Sequence, residues 1–228
     1  MNTWKRWIAS AWFALGVLTL LVTVSTDARA QAPAVDPAAV QTLKRMTDFL
    51  DGLQKFSMNT QSIVEEMRFS GHRVDYDLSA IATVRRPNKL RAVRTGELMN
   101  ESLFYDGKTL TLYKPSEKVY ATDKAPDTIE KMITFAREEV GILFPAADLL
   151  FSRPEVDFQV WVSEGKQPWP RKYVVTETAT PSMLSMTTFL SNWNIAPAVD
   201  DALFKFVPPK GTQATTFLQL ESTSGLKR

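Results

Sequence analysis

Two hydrophobic periods alternate along this chain, and the switches between them mark its elements. Behind Asp36-Pro37, an N-cap followed by proline at the first helical position, Val40, Leu43, Met46, Leu50 and Leu53 recur at helical spacing. Gln41, Lys44, Arg45 and Asp48 fall elsewhere on the wheel, so the spacing predicts one amphipathic helix ending near Gly52. From Phe56 the period becomes two. Ile63, Glu65, Met67 and Phe69 share one face, Ser70-Gly71 supplies a turn, and Val74, Tyr76, Leu78, Ala80, Ala82 and Val84 line one side of a long strand. Such alternation is the mark of a sheet with one dry and one wetter face. Arg86-Pro87-Asn88-Lys89 breaks the run, Leu90 to Thr95 resumes it, Gly96-Glu97 turns it, and Leu98 to Tyr105 returns. Asp106-Gly107 makes a two-residue hairpin turn into Thr109 to Tyr113, and Pro115 to Lys118 turns again before Val119 to Thr122. Successive strands on short turns predict an antiparallel meander.

After Pro126-Asp127 the helical period is back, with Ile129, Met132, Ile133 and Ala136 on one stripe; Gly141 stops it. Pro145 to Phe151 reads as a second short helix. Val156 to Val162, Arg171 to Thr176 and Met183 to Trp193 read as strands, the first two joined by the elbow Pro168-Trp169-Pro170. Asp200 to Phe204 is read as a helical turn, and Thr215 to Leu220 as a closing edge strand, with fraying beyond Glu221. No long linker or repeat divides the chain. The expected fold class is α+β: one strongly curved antiparallel sheet with an N-terminal helix and short mid-chain helices on its concave face, over residues 31–221, with a disordered tail at 222–228.

The first thirty residues differ in kind. Lys5 and Arg6 precede an apolar run from Trp7 to Val24, and Ala28-Arg29-Ala30 follows, the order of a cleavable export signal with the cut after Ala30. An uncleaved anchor is the competing reading, because about 18 apolar residues touch the lower limit of a span. Removal of residues 1–30 takes three of 27 basic and one of 25 acidic residues, which leaves 24 of each on a mature chain near neutrality. A balance of that kind implies no nucleic-acid footprint and no anionic-membrane footprint. Cysteine is absent, which excludes disulfides, a thiol nucleophile, a cysteine metal site and a lipid-modified N-terminal cysteine. The expected compartment is the periplasm, and the expected form is a monomer that does not span the membrane.

Catalytic chemistry is sparse. The one histidine, His72, stands beside Gly71 at an expected hairpin tip, and no Gly-x-Ser-x-Gly elbow accompanies it. Asp75 and Asp77 share a strand face that suits a hard cation, with plain solvation as the simpler account. One of Glu65-Glu66 faces the dry side if Ile63 and Met67 do, which gives a raised carboxyl pKa or a cationic partner such as Arg91 or Arg94. Glycine-rich phosphate loops are missing, and no cofactor and no metal are implied. Apolar bulk remains, including Met46, Met67, Met99, Met132, Met183 and Met186, side chains that fill cores and also line adaptable binding surfaces.

The run Arg85-Arg86-Pro87-Asn88-Lys89-Leu90-Arg91, the hairpin Phe104-Tyr105-Asp106-Gly107-Lys108-Thr109-Leu110-Thr111-Leu112-Tyr113 and the following Lys118-Val119-Tyr120 resemble the periplasmic lipoprotein carriers of the LolA-like superfamily. Within it they are most similar to a branch of predicted periplasmic proteins of unknown function. Gly141 to Phe151, the Trp161 strand, Pro170-Arg171-Lys172 and Asn192-Trp193-Asn194 also match that branch, and the likeness runs from about Asp36 to Gly211. The resemblance implies an incomplete β-barrel around a helical lid, a hydrophobic cavity that accepts acyl chains, and no enzymatic activity. Relatives usually carry a further strand pair where this chain has only Ser152 to Glu155, which implies a shorter sheet and a more open cavity. The expected function is non-catalytic binding of a lipid, a lipoprotein acyl chain or another hydrophobic ligand, with carriage as its purpose. Leu50, Met67, Tyr76, Leu78, Ala80, Leu90, Leu112, Met132, Ile133, Phe158, Val160 and Leu190 are the candidate liners. An envelope sensor or protein-interaction module on the same fold, with an envelope protein as partner, is the alternative.

Overall fold

The computed structural model describes residues 36–67, 70–97, 99–142, 156–177 and 185–223. Helix α1 (Pro37–Asp51) starts where Asp36 accepts the Ala38 N–H at 2.8 Å and stops at Gly52. Six strands follow in succession: β1 (Lys55–Met67), β2 (Arg73–Arg85), β3 (Lys89–Gly96), β4 (Asn100–Tyr105), β5 (Thr109–Lys114) and β6 (Val119–Lys124). Helix α2 (Ile129–Glu138) is capped by Thr128, which accepts the Lys131 N–H at 3.3 Å. Then come β7 (Val156–Val162), β8 (Pro170–Glu177), β9 (Ser185–Asn194), a 3₁₀ turn (Asp201–Phe204), β10 (Gln213–Thr215) and α3 (Phe217–Thr223). The helix expected over Pro145 to Phe151, the connection Ser152 to Glu155, the export signal and the tail beyond 223 lie outside the described residues.

All ten strands join one sheet in the order β10-β6-β5-β4-β3-β2-β1-β9-β8-β7, open at both ends and curled rather than closed. Every pairing is antiparallel except β10 with β6. The α+β expectation of a curved, incomplete barrel therefore holds. Pairing of Phe56, Met58, Thr60 and Ser62 with Val84, Ala82, Ala80 and Leu78 fixes the parity of the inner face, and all four of these β1 residues are buried. This corrects the reading of β1: Ile63 and Met67 belong to the outer face. The expectation followed the bulkiest apolar residues, whereas the face is set by the partner strand, since a shift by one residue reverses every side chain.

The core lies between this inner face and α2. Ile129, Met132, Ile133 and Ala136, with Val140 and Ile142 beyond the helix, pack on Leu90, Ala92, Leu103, Tyr105, Leu110 and Leu112. On the opposite side the chain after β9 forms a strap. Lys55 Nζ donates to the Pro197 carbonyl at 3.0 Å, Arg85 pairs with Asp201, and Phe206 packs within 5.0–5.2 Å of the rings of Phe104, Tyr113 and Tyr120. The strap ends in β10 at the far edge of the sheet, beside β6.

The edge strand expected from Thr215 to Leu220 is replaced by β10 over Gln213–Thr215 and then by α3. Thr216 Oγ1 accepts the Gln219 N–H, and Gln219 Oε1 accepts the Thr216 N–H, both at 3.3 Å. That reciprocal capping box starts a helix where threonine content alone suggests a strand.

Candidate functional site

Cross-strand register assembles the inner face in rows. Two apolar rows run Phe56, Val84, Leu90, Tyr105, Leu110 and Met58, Ala82, Ala92, Leu103, Leu112, Ala121. Helix α2 closes over them so fully that Leu103, Tyr105, Leu110, Met132 and Ala136 have no exposed surface. The next row is polar: Thr60, Arg94 and Glu101 stand side by side with Leu190 and Ala80, Lys114 shares the inner parity of Leu110 and Leu112 on β5, and each of these four polar residues is buried. Arg94 and Glu101 form an ion pair, and Lys114 Nζ donates to the Leu220 carbonyl of α3 at 2.8 Å. A further row joins Tyr173, Thr188, Ser62 and Leu78, with the hydroxyls of Ser62 and Thr188 2.7 Å apart. Beyond it Val64, Tyr76 and Met186 continue the same face and are only half-buried.

Most of the expected liners fall on this face. Leu90, Leu112, Met132, Ile133 and Leu190 meet in one buried cluster, with Val160 packed half-buried against it. Leu78 is buried and Tyr76 and Ala80 are half-buried in adjoining inner positions. Phe158 is paired in register with Val175. Leu50 is buried on α1, whose neighbouring Phe49 meets Trp169 edge-on at 4.6 Å. Met67 departs from the set: odd parity puts it on the outer face, 47% exposed.

Several inner-face residues went unread in the sequence. Trp169 stacks on Trp193 at 4.9 Å, and Trp193 reaches Phe56 at 5.7 Å. Asn192 makes this contact possible, because its φ of +52° lies at a register shift between Ser57 and Asn59 and turns Trp193 inward. The Arg94–Glu101 pair was legible in principle, since both residues share parity with Ala92 and Leu103.

The carboxylates singled out in the sequence have other employment. Glu65 faces outward and meets Arg73 at 2.9 Å, and Asp75 accepts from the same guanidinium at 2.9 Å. That hydrogen bond holds the Asp75 carboxyl below its usual range. Parity puts Glu66, not Glu65, on the inner side. Arg91 stacks over Phe104 at 4.2 Å on the outer face instead of serving either glutamate. His72 is exposed, with Nδ1 3.0 Å from Ser70 Oγ.

Two motifs of the family resemblance, the Arg85–Arg91 run and the Asp106-Gly107 hairpin, prove to be one packing unit. A Cβ on Gly107 would come within 2.5 Å of the Asn88 side chain, and Ile129 N–H donates to the Pro87 carbonyl at 3.0 Å. Arg86 reaches Glu130 of α2 at 2.6 Å and Asp51 of α1 at 3.2 Å. Their role is to seat both helices at one end of the sheet.

Fold and inner face together define a class: an open, curled sheet that holds helices against an apolar inner surface. The chain belongs to the family described as Predicted periplasmic protein (DUF2092), which matches residues 39–156 and 149–218. Solved structures similar to it include an uncharacterized conserved protein from Thermus thermophilus, at 11% identity and TM-score 0.47 over 78% of this chain and 99% of that one. Others are a DUF1329 family protein from Desulfovibrio piger, at 10% identity and TM-score 0.37 over 74% and 96%, and a LolA superfamily protein from Nitrosomonas europaea, at 10% identity and TM-score 0.39 over 74% and 97%. No curated protein matches the chain. Among the described residues no helix is long and apolar enough to cross a membrane.

Proposed function

We propose that the mature chain, released after Ala30, is a non-catalytic periplasmic binder of a hydrophobic ligand, a lipid or acyl chain, and acts as its carrier. One observation carries the reading: the inner face continues past the buried cluster that contains α2, and there Val64, Tyr76 and Ala80 are only half-buried, as is Met186 at the cluster's edge. Leu78, Leu90, Leu112, Met132, Ile133 and Leu190 serve as the packed floor of the site, while Val64, Tyr76, Ala80 and Met186 meet the ligand. Each methylene removed from water is worth roughly 0.8 kcal/mol, so a long acyl chain supplies on the order of 10 kcal/mol before ordering costs. No directed chemistry is needed for such binding. The titratable residues considered for catalysis are either exposed or engaged with a neighbour.

Protein recovered from the periplasm is expected to release a lipid on solvent extraction and to bind a fluorescent fatty acid. Ala80→Trp, which fills the inner face, is expected to weaken that binding about tenfold with the melting temperature retained. Consistently empty protein that takes up no fluorescent fatty acid refutes the reading.

A further inference from the structure

The outer face carries an arrangement that binding on the inner face leaves unused. Phe204 and Phe206 pack on it at Arg85 of β2, Phe104 of β4, Tyr113 of β5 and Tyr120 of β6, whereas among the described residues the strap makes no such aromatic contact with β7, β8 and β9. There Trp161, Lys172 and Phe189 are direct cross-strand neighbours on β7, β8 and β9. Lys172 Nζ stands between the two rings, 4.4 Å from the Trp161 centroid and 5.5 Å from that of Phe189. Even so, each ring remains 44% exposed. Gln61 continues the row, and Asn59 and the 55%-exposed Ile81 lie in the next one. No acidic residue stands among these six positions, in a chain of which 23% is charged.

Exposed rings, amides and one cation are a specific chemical offer. An aromatic face stacks against the C–H face of a sugar ring. The Asn and Gln amides each present both a donor and an acceptor, which is what a sugar hydroxyl requires. The two rings stand two strands apart, about 9.6 Å, a separation on the scale of a disaccharide. Lys172, a mobile point charge with no carboxylate beside it in these rows, complements an anionic group set between the two sugars. A lipid surface fits less well, because it asks for a continuous apolar belt where Gln61 and Asn59 stand. We propose that this outer face binds an acidic glycan, with sugar rings on Trp161 and Phe189 and a carboxylate on Lys172.

The full chain, expressed with its own leader and recovered from the periplasm, is titrated calorimetrically with tetragalacturonate and with neutral chitotetraose. The acidic oligomer is expected to bind, more weakly in high salt, and about tenfold more weakly still after Trp161→Ala or Phe189→Ala. Lys172→Gln keeps both rings and is expected to erase the preference for the acidic oligomer. Circular dichroism melts establish that each variant is folded. Absence of tetragalacturonate binding, equal binding of chitotetraose, or binding that survives loss of both rings overturns the proposal. So does a self-associating chain whose dimer is lost in Trp161→Ala, or a chain that binds phosphatidylglycerol vesicles and not the oligomer.

Discussion

Gly107 shows how much one position can decide. Its φ is +87°, and an added Cβ would lie 2.5 Å from Asn88 Nδ2 and 3.1 Å from the Asn88 carbonyl. Backbone strain and a clash coincide, so Gly107→Ala is expected to cost about 2–3 kcal/mol in urea denaturation. The Arg94–Glu101 pair is a second such point. Both side chains are 8% exposed, and Glu101→Ala removes the carboxylate that faces a buried guanidinium, at an expected ~3–5 kcal/mol. Replacing the pair together by Arg94→Met and Glu101→Leu is expected to recover most of that loss. Tyr105 adds a pH signature. Burial, and after it the carboxylates of Asp127, Asp106 and Glu130, push its phenol up to about 12 from 10.0. Its hydroxyl donates to the Pro126 carbonyl at 2.5 Å. A raised pKa of an acid means that the fold favours the neutral phenol, so this contribution is complete below pH 10 and lost as pH rises from 10 to about 12. Thermal melts across that window are expected to fall less steeply for Tyr105→Phe than for the parent.

Among elements, the two helices share one anchor. Arg86 holds Asp51 at the end of α1 and Glu130 at the start of α2, with its side chain only 19% exposed. Arg86→Ala is expected to raise hydrogen exchange in both helices together, at 37–51 and 129–138, and to leave β4 and β5 protected. An unchanged α1 would mean that its packing on Trp169 suffices. The hairpins and both long helices could be read from the sequence because their signals are local: Asp106-Gly107 makes its own turn, and Asp36 and Thr128 cap the helices they precede. Parity of β1 could not be read in the same way. Its inner face presents Thr60 and Ser62, polar residues that are content inside because Ser62 meets Thr188, 126 residues away. Trp193 was hidden by the extra residue at Asn192, which reverses the alternation that assigns faces. The capping box at Thr216 and Gln219 is local too, and it outweighs the strand propensity of the threonines around it, the weaker guide.

At the scale of the molecule, β1 to β6 pair in sequence order, each with its predecessor, while β9 returns to the free side of β1 and β10 to the free side of β6. Half of the candidate liners sit on β1 to β5 and were placed by that simple meander. Leu190 joins them only through the long-range return, which no local pattern announces. Synthesis runs from the N-terminus, so the first six strands are complete before their closing partners exist. For the whole interval until Ser185–Asn194 emerges, thirteen residues of Lys55–Met67 offer an unpaired bonding edge to any passing chain. Nascent protein of this design therefore depends on being held apart from its neighbours, and its hazard is a matter of timing rather than of final stability.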